Sequence, residues 1–398
     1  MSEMLKGLKV LDMTNNYAGP ACGVLFADYG AEVIHIEKPV TGDDARRFPP
    51  IVDGESLSYA MANGGKKSVV LNTNDPEAIE ILKRMIADCD ILLESFRPGV
   101  MKRMGLCYEV VKEINPRIIY CSISAFGSKG PYKDRAGYDA IAQAYSGFMH
   151  LTGMPDGPPT MTGVAIGDTV GALTAFGSVM AAVYYRSVSG KGQFIDVALA
   201  RSLMWCNTPL TRINVGDDIK RAGNRGPGLA PYGLFQGNDG SVIIAAVSAK
   251  QWEKLCELMG REELVTDPRF LTNLERDVNY PELIPIIEDW LKSLDSVNTA
   301  VSMLCEAGVA NSKVYTHSDL IKDPHALECG WLAEIPTAST IKSKQTYVTT
   351  SAPADFSETP GCVGQAPYFG EHNEEVLQKY GWDTEKINQK EQEWARKK

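Results

Sequence analysis

Among the nine cysteines of this 398-residue sequence there is no C-x-x-C pair; they sit singly at 22, 89, 107, 121, 206, 256, 305, 329 and 362. An odd, scattered set excludes a disulfide framework and a thiolate zinc site, and it predicts a reduced, cytoplasmic chain. Histidine is scarce too: the five at 35, 150, 317, 325 and 372 show no metal-ligand spacing, so no metal is expected. Basic clusters are missing, and the net charge of −10 speaks against nucleic acid as a partner. A local cationic pocket for a small phosphorylated ligand stays compatible with that balance. Met1 to Lys6 has neither a basic region nor a following apolar core, so no signal peptide is expected. Long apolar runs are absent except for Thr169 to Tyr185, which is slightly short for a membrane span and contains Gly171, Thr174, Gly177 and Ser178. A buried or subunit-interface helix is the better reading, and no membrane partner is expected.

What is present is the composition of a soluble globular protein, 44% hydrophobic and 23% charged. The length exceeds one ordinary core, so two domains are expected. Leu8 to Met13 reads as a strand, Asn15 to Pro20 as a loop, Ala21 to Tyr29 as a helix and Gly30 to Glu37 as the return strand of a βαβ unit. No G-x-G-x-x-G accompanies it, which removes the main physical support for a nicotinamide site. Asn74-Asp75-Pro76-Glu77 is a helix start, with Ile79, Leu82, Met85 and Ile86 as its buried stripe. Strands follow at 91–93 and 118–123, with a helix at 110–114 between them. Such alternation predicts a mostly parallel, Rossmann-like sheet with the loops at 14–20, 38–47, 94–104 and 124–139 on one rim.

After another strand at 193–197 the composition shifts. Residues 201–227 read as a linker, with Arg221 to Gly228 as a linker or binding loop, and 228–324 as a smaller α+β domain. That domain opens on a hairpin, Tyr232 to Phe235 and Ser241 to Val247, joined through Asn238-Asp239-Gly240. Helices are expected at 251–259, 281–294 and 299–307. Residues 325–398 return to the large domain begun by 1–200, with strands in 331–356, a capped helix at 370–380 and a charged, exposed tail from Glu385.

The stretch Ala165-Ile166-Gly167-Asp168, running into the apolar segment, places a carboxylate at a helix start, where free N–H groups and the macrodipole hold negative charge. Two readings stay open on these residues alone: Asp168 caps its helix, or Asp168 is a nucleophile.

Several pieces taken together resemble the class III CoA-transferases, the family of formyl-CoA and carnitine CoA-transferases. They begin with Leu5-Lys6-Gly7-Leu8-Lys9-Val10-Leu11-Asp12, Ala18-Gly19-Pro20, Gly30-Ala31-Glu32-Val33-Ile34 and Asn63-Gly64-Gly65-Lys66-Lys67-Ser68. Arg97-Pro98-Gly99, Arg103-Met104-Gly105, Tyr138-Asp139-Ala140-Ile141-Ala142-Gln143-Ala144 and Gly167-Asp168 follow in order. Ser189-Gly190-Lys191-Gly192-Gln193, Pro231-Tyr232-Gly233 and Gly370-Glu371-His372 complete the set, which spans nearly the whole chain.

The resemblance implies that Asp168 is the nucleophile, attacking an acyl-CoA to give a mixed anhydride and then an aspartyl-CoA thioester from which an acceptor acid takes CoA. CoA and acyl-CoA are then substrates, with no tightly bound cofactor. It places Lys38 and Arg103 at the CoA phosphates, and Leu71, Phe96 and Met104 along the adenine slot or pantetheine path. Asn15, Tyr17 and Ala18 approach the thioester, and Tyr138 the CoA arm. Asp139 is placed among the substrate-orienting groups, where a buried structural aspartate would equally fit. An interlocked homodimer is implied as well. Tyr17 stands where some members have glutamine, Asn74 where some have lysine, and the four-glycine shielding loop is reduced to Gly226-Pro227-Gly228. The competing functions are an acyl-CoA racemase, which Tyr138 disfavours because a histidine would stand there, and a CoA-binding protein without catalysis. The donor and acceptor are left open, with a modest-sized carboxylate preferred.

Overall fold

The computed structural model describes residues 2–52, 54–226, 228–336 and 346–396. Six parallel strands form the main sheet: β1 (Lys9–Met13), β2 (Glu32–Glu37), β3 (Lys67–Val70), β4 (Ile91–Glu94), β5 (Ile119–Ser124) and β6 (Gln193–Ala198). Their spatial order is 3-2-1-4-5-6. That is the order of a doubly wound nucleotide fold, in which the crevice opens where connections leave in opposite directions, beyond the carboxyl ends of β1 and β4. The near-continuous apolar runs Val-Leu and Ile-Leu-Leu suit strands buried on both faces.

Two apolar layers flank the sheet. One holds α1 (Ala18–Asp28) and the long helix α2 (Ile166–Ser189), packed through Phe26, Ala172, Ala175, Val179 and Ala182. Small residues let α2 approach closely: a Cβ on Gly171 would stand 2.3 Å from Leu199 Cδ2. Although α2 is long and apolar enough to cross a membrane by length and composition, this face packs in the core. Its opposite face leaves Leu173, Tyr184 and Val188 exposed.

The other layer holds the helix Pro76–Asp88, started by Asp75, whose side chain accepts from the Glu77 amide. Its buried stripe is Ala78, Ile81, Leu82, Met85 and Ile86; Ile79, expected in it, is only partly buried. Against this helix packs α3 (Thr384–Arg396), where an exposed tail was expected. Ile387, Lys390 and Trp394 are buried, and Lys390 Nζ meets Asp75 Oδ2 and Glu77 Oε1, both at 2.7 Å.

The chain divides into two compact units: Met1–Phe148, Met161–Leu210 and Pro324–Lys398 form the first, Met149–Thr160 and Thr211–Asp323 the second. Residues 149–160, assigned to the large domain by sequence, group with the second because the Arg221 guanidinium donates to the carbonyls of His150 and Gly157. The expected linker 201–227 carries the end of the helix Leu199–Cys206 and a 3-10 helix at Thr208–Val215, and the division falls within the latter, between Leu210 and Thr211. In the second unit the strands Tyr232–Gln236, Ser241–Ala245 and Ala310–Lys313 pair antiparallel, backed by Ala249–Met259, Tyr280–Ser293 and Val297–Glu306 around Phe235, Trp252 and Ile287. The strands expected in 331–356 are Leu332–Pro336 and Thr346–Thr350; residues between them lie outside the described set.

Candidate active site

Beyond β1 the chain turns through Thr14 to Tyr17 into α1, and beyond β4 through Ser95 to Pro98; the Asn15 amide donates to Ser95 Oγ at 3.0 Å, joining the two loops. A pocket of about 270 Å³ lies here, lined by Asn15, Tyr17, Ala18, Phe96, Tyr138 and Asp168, with Arg97, Lys133 and Arg135 around it. A neighbouring pocket of about 720 Å³ is lined by Asn15, Lys38, Leu71, Asn72 to Asn74, Phe96 and Trp394. Asn15 and Phe96 belong to both walls. A site of this combined size, polar at one end and apolar at the other, fits a long ligand with an aromatic base.

Asp168 is the third residue of α2, and it does not cap it. The N-cap position is Ala165, which has no side-chain acceptor. The cap comes from Asp139, whose Oδ1 accepts from Gly167 N at 2.6 Å and Asp168 N at 3.3 Å. Asp139 is itself held by the Gln143 amide, which donates to Oδ2 at 2.7 Å. Among the described residues the Asp168 carboxylate has no hydrogen-bond or ion-pair partner, and burial, aided by the nearby Asp139 charge, pushes it up to about 7. A half-buried, unpaired, basic carboxylate at a helix N-terminus facing a pocket is chemically a nucleophile or a base.

Of the residues implied at the CoA phosphates, Lys38 lines the larger pocket, with its Nζ 2.7 Å from Asp44 Oδ1. Asp44 also accepts from Asn15 Nδ2 and pairs with Arg47. Arg103 and Met104 line neither pocket: Arg103 ends the short helix Val100–Arg103 and is exposed, and Met104 packs on the core. Leu71 is both core and pocket wall. Tyr138 is two-thirds exposed and precedes the helix Asp139–Tyr145. Gly226 and Gly228 belong to the second unit, where the Gly228 amide donates to Asp277 Oδ2; Pro227 lies outside the described residues.

Sequence reasoning passed over Arg97, Lys133, Arg135 and Trp394. The three cations lie in loops already expected on the rim, and Arg97 stands inside the quoted Arg97-Pro98-Gly99. Trp394 carried only the faint signal of sharing a helical face with Ile387 and Lys390.

The profile described as CoA-transferase family III matches residues 5–373. The chain is 35% identical over 378 residues to succinyl-CoA:glutarate CoA-transferase of Homo sapiens, covering 94% of this chain and 85% of that protein. It is 35% identical over 392 residues to succinyl-CoA:mesaconate CoA-transferase of Haloarcula marismortui, covering 96% and 97%. The crystal structure of a CAIB/BAIF family protein from Brucella suis superposes with a TM-score of 0.84 at 33% identity, covering 96% of this chain and all of that one.

Proposed function

The chain belongs to CoA-transferase family III and is a CoA-transferase, and from that premise we propose that it passes CoA to a dicarboxylic acid through Asp168. An Asp168 oxygen attacks the thioester carbonyl of the donor; the C–S bond breaks, CoA leaves as thiolate, and an acyl-aspartyl anhydride remains. The thiolate then attacks the aspartyl carbonyl and the donor acid departs as carboxylate, leaving aspartyl-CoA. An acceptor carboxylate repeats these steps in reverse, so one thioester replaces another and Asp168 is regenerated. The observation that carries this reading is the unpaired, elevated carboxylate of Asp168 in the pocket beyond β1 and β4.

Adenosine fits the larger pocket, where Leu71 and Phe96 offer apolar walls, and pantetheine runs past Asn15 towards Asp168. Remote binding of the nucleotide then contributes orientation that a weak nucleophile needs. Arg97, Lys133 and Arg135 line the Asp168 pocket without a carboxylate partner among the described residues. They suit the free carboxylate of a dicarboxylate acceptor, the substrate type that the names of the human and archaeal relatives carry. The exposed face of α2, with Leu173, Tyr184 and Val188, supports burial against a second copy in a cytoplasmic homodimer.

The test is intact-protein mass after incubation with a panel of acyl-CoAs, with hydroxylamine trapping and Asp168→Ala in parallel. A CoA-sized adduct that hydroxylamine removes and the variant lacks is expected. Folded protein that binds CoA and forms no Asp168-dependent adduct with any donor would sink the mechanism.

A further inference from the structure

His35 is fully buried in β2, and each ring nitrogen faces a carboxylate: Nδ1 lies 3.3 Å from Asp12 Oδ2 and Nε2 3.3 Å from Asp43 Oδ2. Neither contact meets hydrogen-bond geometry, so it is the negative charge beside each ring nitrogen that favours the imidazolium. Burial alone would lower its proton affinity; the Asp12 charge and the contacts with both carboxylates outweigh it and raise His35 to about 9. Lys66 Nζ, at 2.8 Å from Asp12 Oδ2, supplies the second buried cation, so two cations balance two carboxylates. Gly23 leaves room for this pair: a Cβ there would stand 2.6 Å from Asp12 Oδ2.

The remaining oxygens of the two carboxylates hold the loop that leaves β1. Asp12 Oδ1 accepts from the Thr14 amide and hydroxyl, and Asp43 Oδ1 accepts from the Asn16 amide at 3.0 Å. Asn16 is held at φ +72°, a conformation a non-glycine residue seldom keeps without such support. Asn15, between the two suspension points, thereby faces both pockets.

We infer that His35 is a positioning residue for acyl-CoA binding, a buried bridge between Asp12 and Asp43 that fixes the Thr14–Tyr17 loop. This rests on the assignment of that loop to the thioester. The bridge is a charge balance. Removing the His35 charge leaves one uncompensated carboxylate, and neutralising Asp43 while keeping its Oδ1 acceptor restores the balance.

The experiment compares His35→Gln and His35→Gln/Asp43→Asn with the wild type by hydrogen exchange of a peptide spanning 13–18 and by titration with CoA. His35→Gln is expected to exchange about tenfold faster and bind CoA about tenfold more weakly, with most of both losses recovered in the double variant. A general packing defect would not be repaired by the second substitution. The wild type gives a second arm that needs no altered protein. The groups facing His35 are Asp12, Asp43, Lys66, the Glu37 carboxylate and the Tyr59 ring. With the folded value raised, the contribution is full below the ordinary histidine value of about 6.5 and is lost as pH rises through about 9. Loop protection, corrected for intrinsic exchange, should therefore drop between pH 8 and 10 in the wild type and stay level in the double variant. Exchange and CoA affinity within twofold of wild type in folded His35→Gln, or no drop with pH, would overturn the inference. Absence of an Asp168 adduct in the wild type would instead overturn the thioester assignment, and loop exchange would still decide whether His35 holds the loop.

Discussion

Asp139 holds the start of the helix that carries Asp168: its Oδ1 accepts from the amides of Gly167 at 2.6 Å and of Asp168 itself at 3.3 Å. One carboxylate thus does two things for another. It supplies the acceptor that Ala165, at the N-cap position, lacks, and its charge adds to burial in raising Asp168 to about 7.

Replacing Asp139 separates these effects. Asp139→Asn keeps an oxygen acceptor for the Gly167 amide but removes the charge and disturbs the Gln143 contact. Asp139→Ala also loses the cap, at a cost of about 1 kcal/mol in stability. In the proposed mechanism Asp168 reacts as a carboxylate, so the rate of adduct formation in the wild type should rise with pH through about 7 and then level. In Asp139→Asn the rise should move to lower pH, since removal of a neighbouring negative charge lowers the proton affinity of Asp168. Rapid-quench intact-mass measurements from pH 5 to 9 check this; an unmoved or alkaline-shifted profile contradicts it.

Arg97, Lys133 and Arg135, which have no carboxylate partner among the described residues, make a prediction about substrate choice. Arg135, with its guanidinium 3.6 Å over the Tyr132 ring, is pre-organised for a carboxylate, whereas Lys133 is a freer charge. If the acceptor is a dicarboxylate as proposed, Arg135→Gln should raise its KM about tenfold and leave KM for a monocarboxylate of the same length nearly unchanged. Lys133→Gln should do less. Equal losses for both acids would mean that Arg135 serves CoA or the fold rather than the distal carboxylate.

How much of this was legible in the sequence follows from the range of the interactions. The βαβ alternation is local, so the run from Lys9 to Glu37 and the rim loops could be placed from periodicity and turn residues alone. The capping of α2 could not. The residue-type rule assigns a cap to Asp168, while the acceptor that does the work stands 29 residues earlier in sequence. The bridge at His35 is equally non-local, joining residues 12, 35, 43 and 66. Arg97, Lys133 and Arg135 were passed over because an exposed cation in a loop looks the same in sequence whether or not a pocket lies beside it.

The C-terminal helix is the clearest case of composition misleading, and it bears on binding. Its sequence is rich in Glu and Lys, yet Lys390 is 5% exposed and Trp394 3%. Lys390 Nζ reaches Asp75 Oδ2, which also accepts from Trp394 Nε1 at 3.1 Å; this same aspartate starts the helix Pro76–Asp88. For Asp75, burial works to raise the carboxyl and is outweighed by the Lys390 hydrogen bond and the Glu77 amide, so its value is lowered. The sign follows: this contribution is present above the ordinary carboxylate value of about 4 and is lost as pH falls through the lowered one. Lys390→Met leaves Asp75 without its cation and should cost about 3 kcal/mol at neutral pH, and much of that difference from wild type should vanish in acid, where Asp75 is protonated. Trp394 also lines the larger pocket, so Trp394→Ala should weaken CoA binding as well as stability, whereas Trp394→Phe, which keeps an aromatic ring but loses the Nε1 bond and part of the indole volume, should lose stability and hold most of the affinity. Urea unfolding and CoA titration on the same preparations separate the two: if Trp394→Ala binds CoA as the wild type does at a temperature where both are folded, the helix is a structural brace and no part of the nucleotide wall.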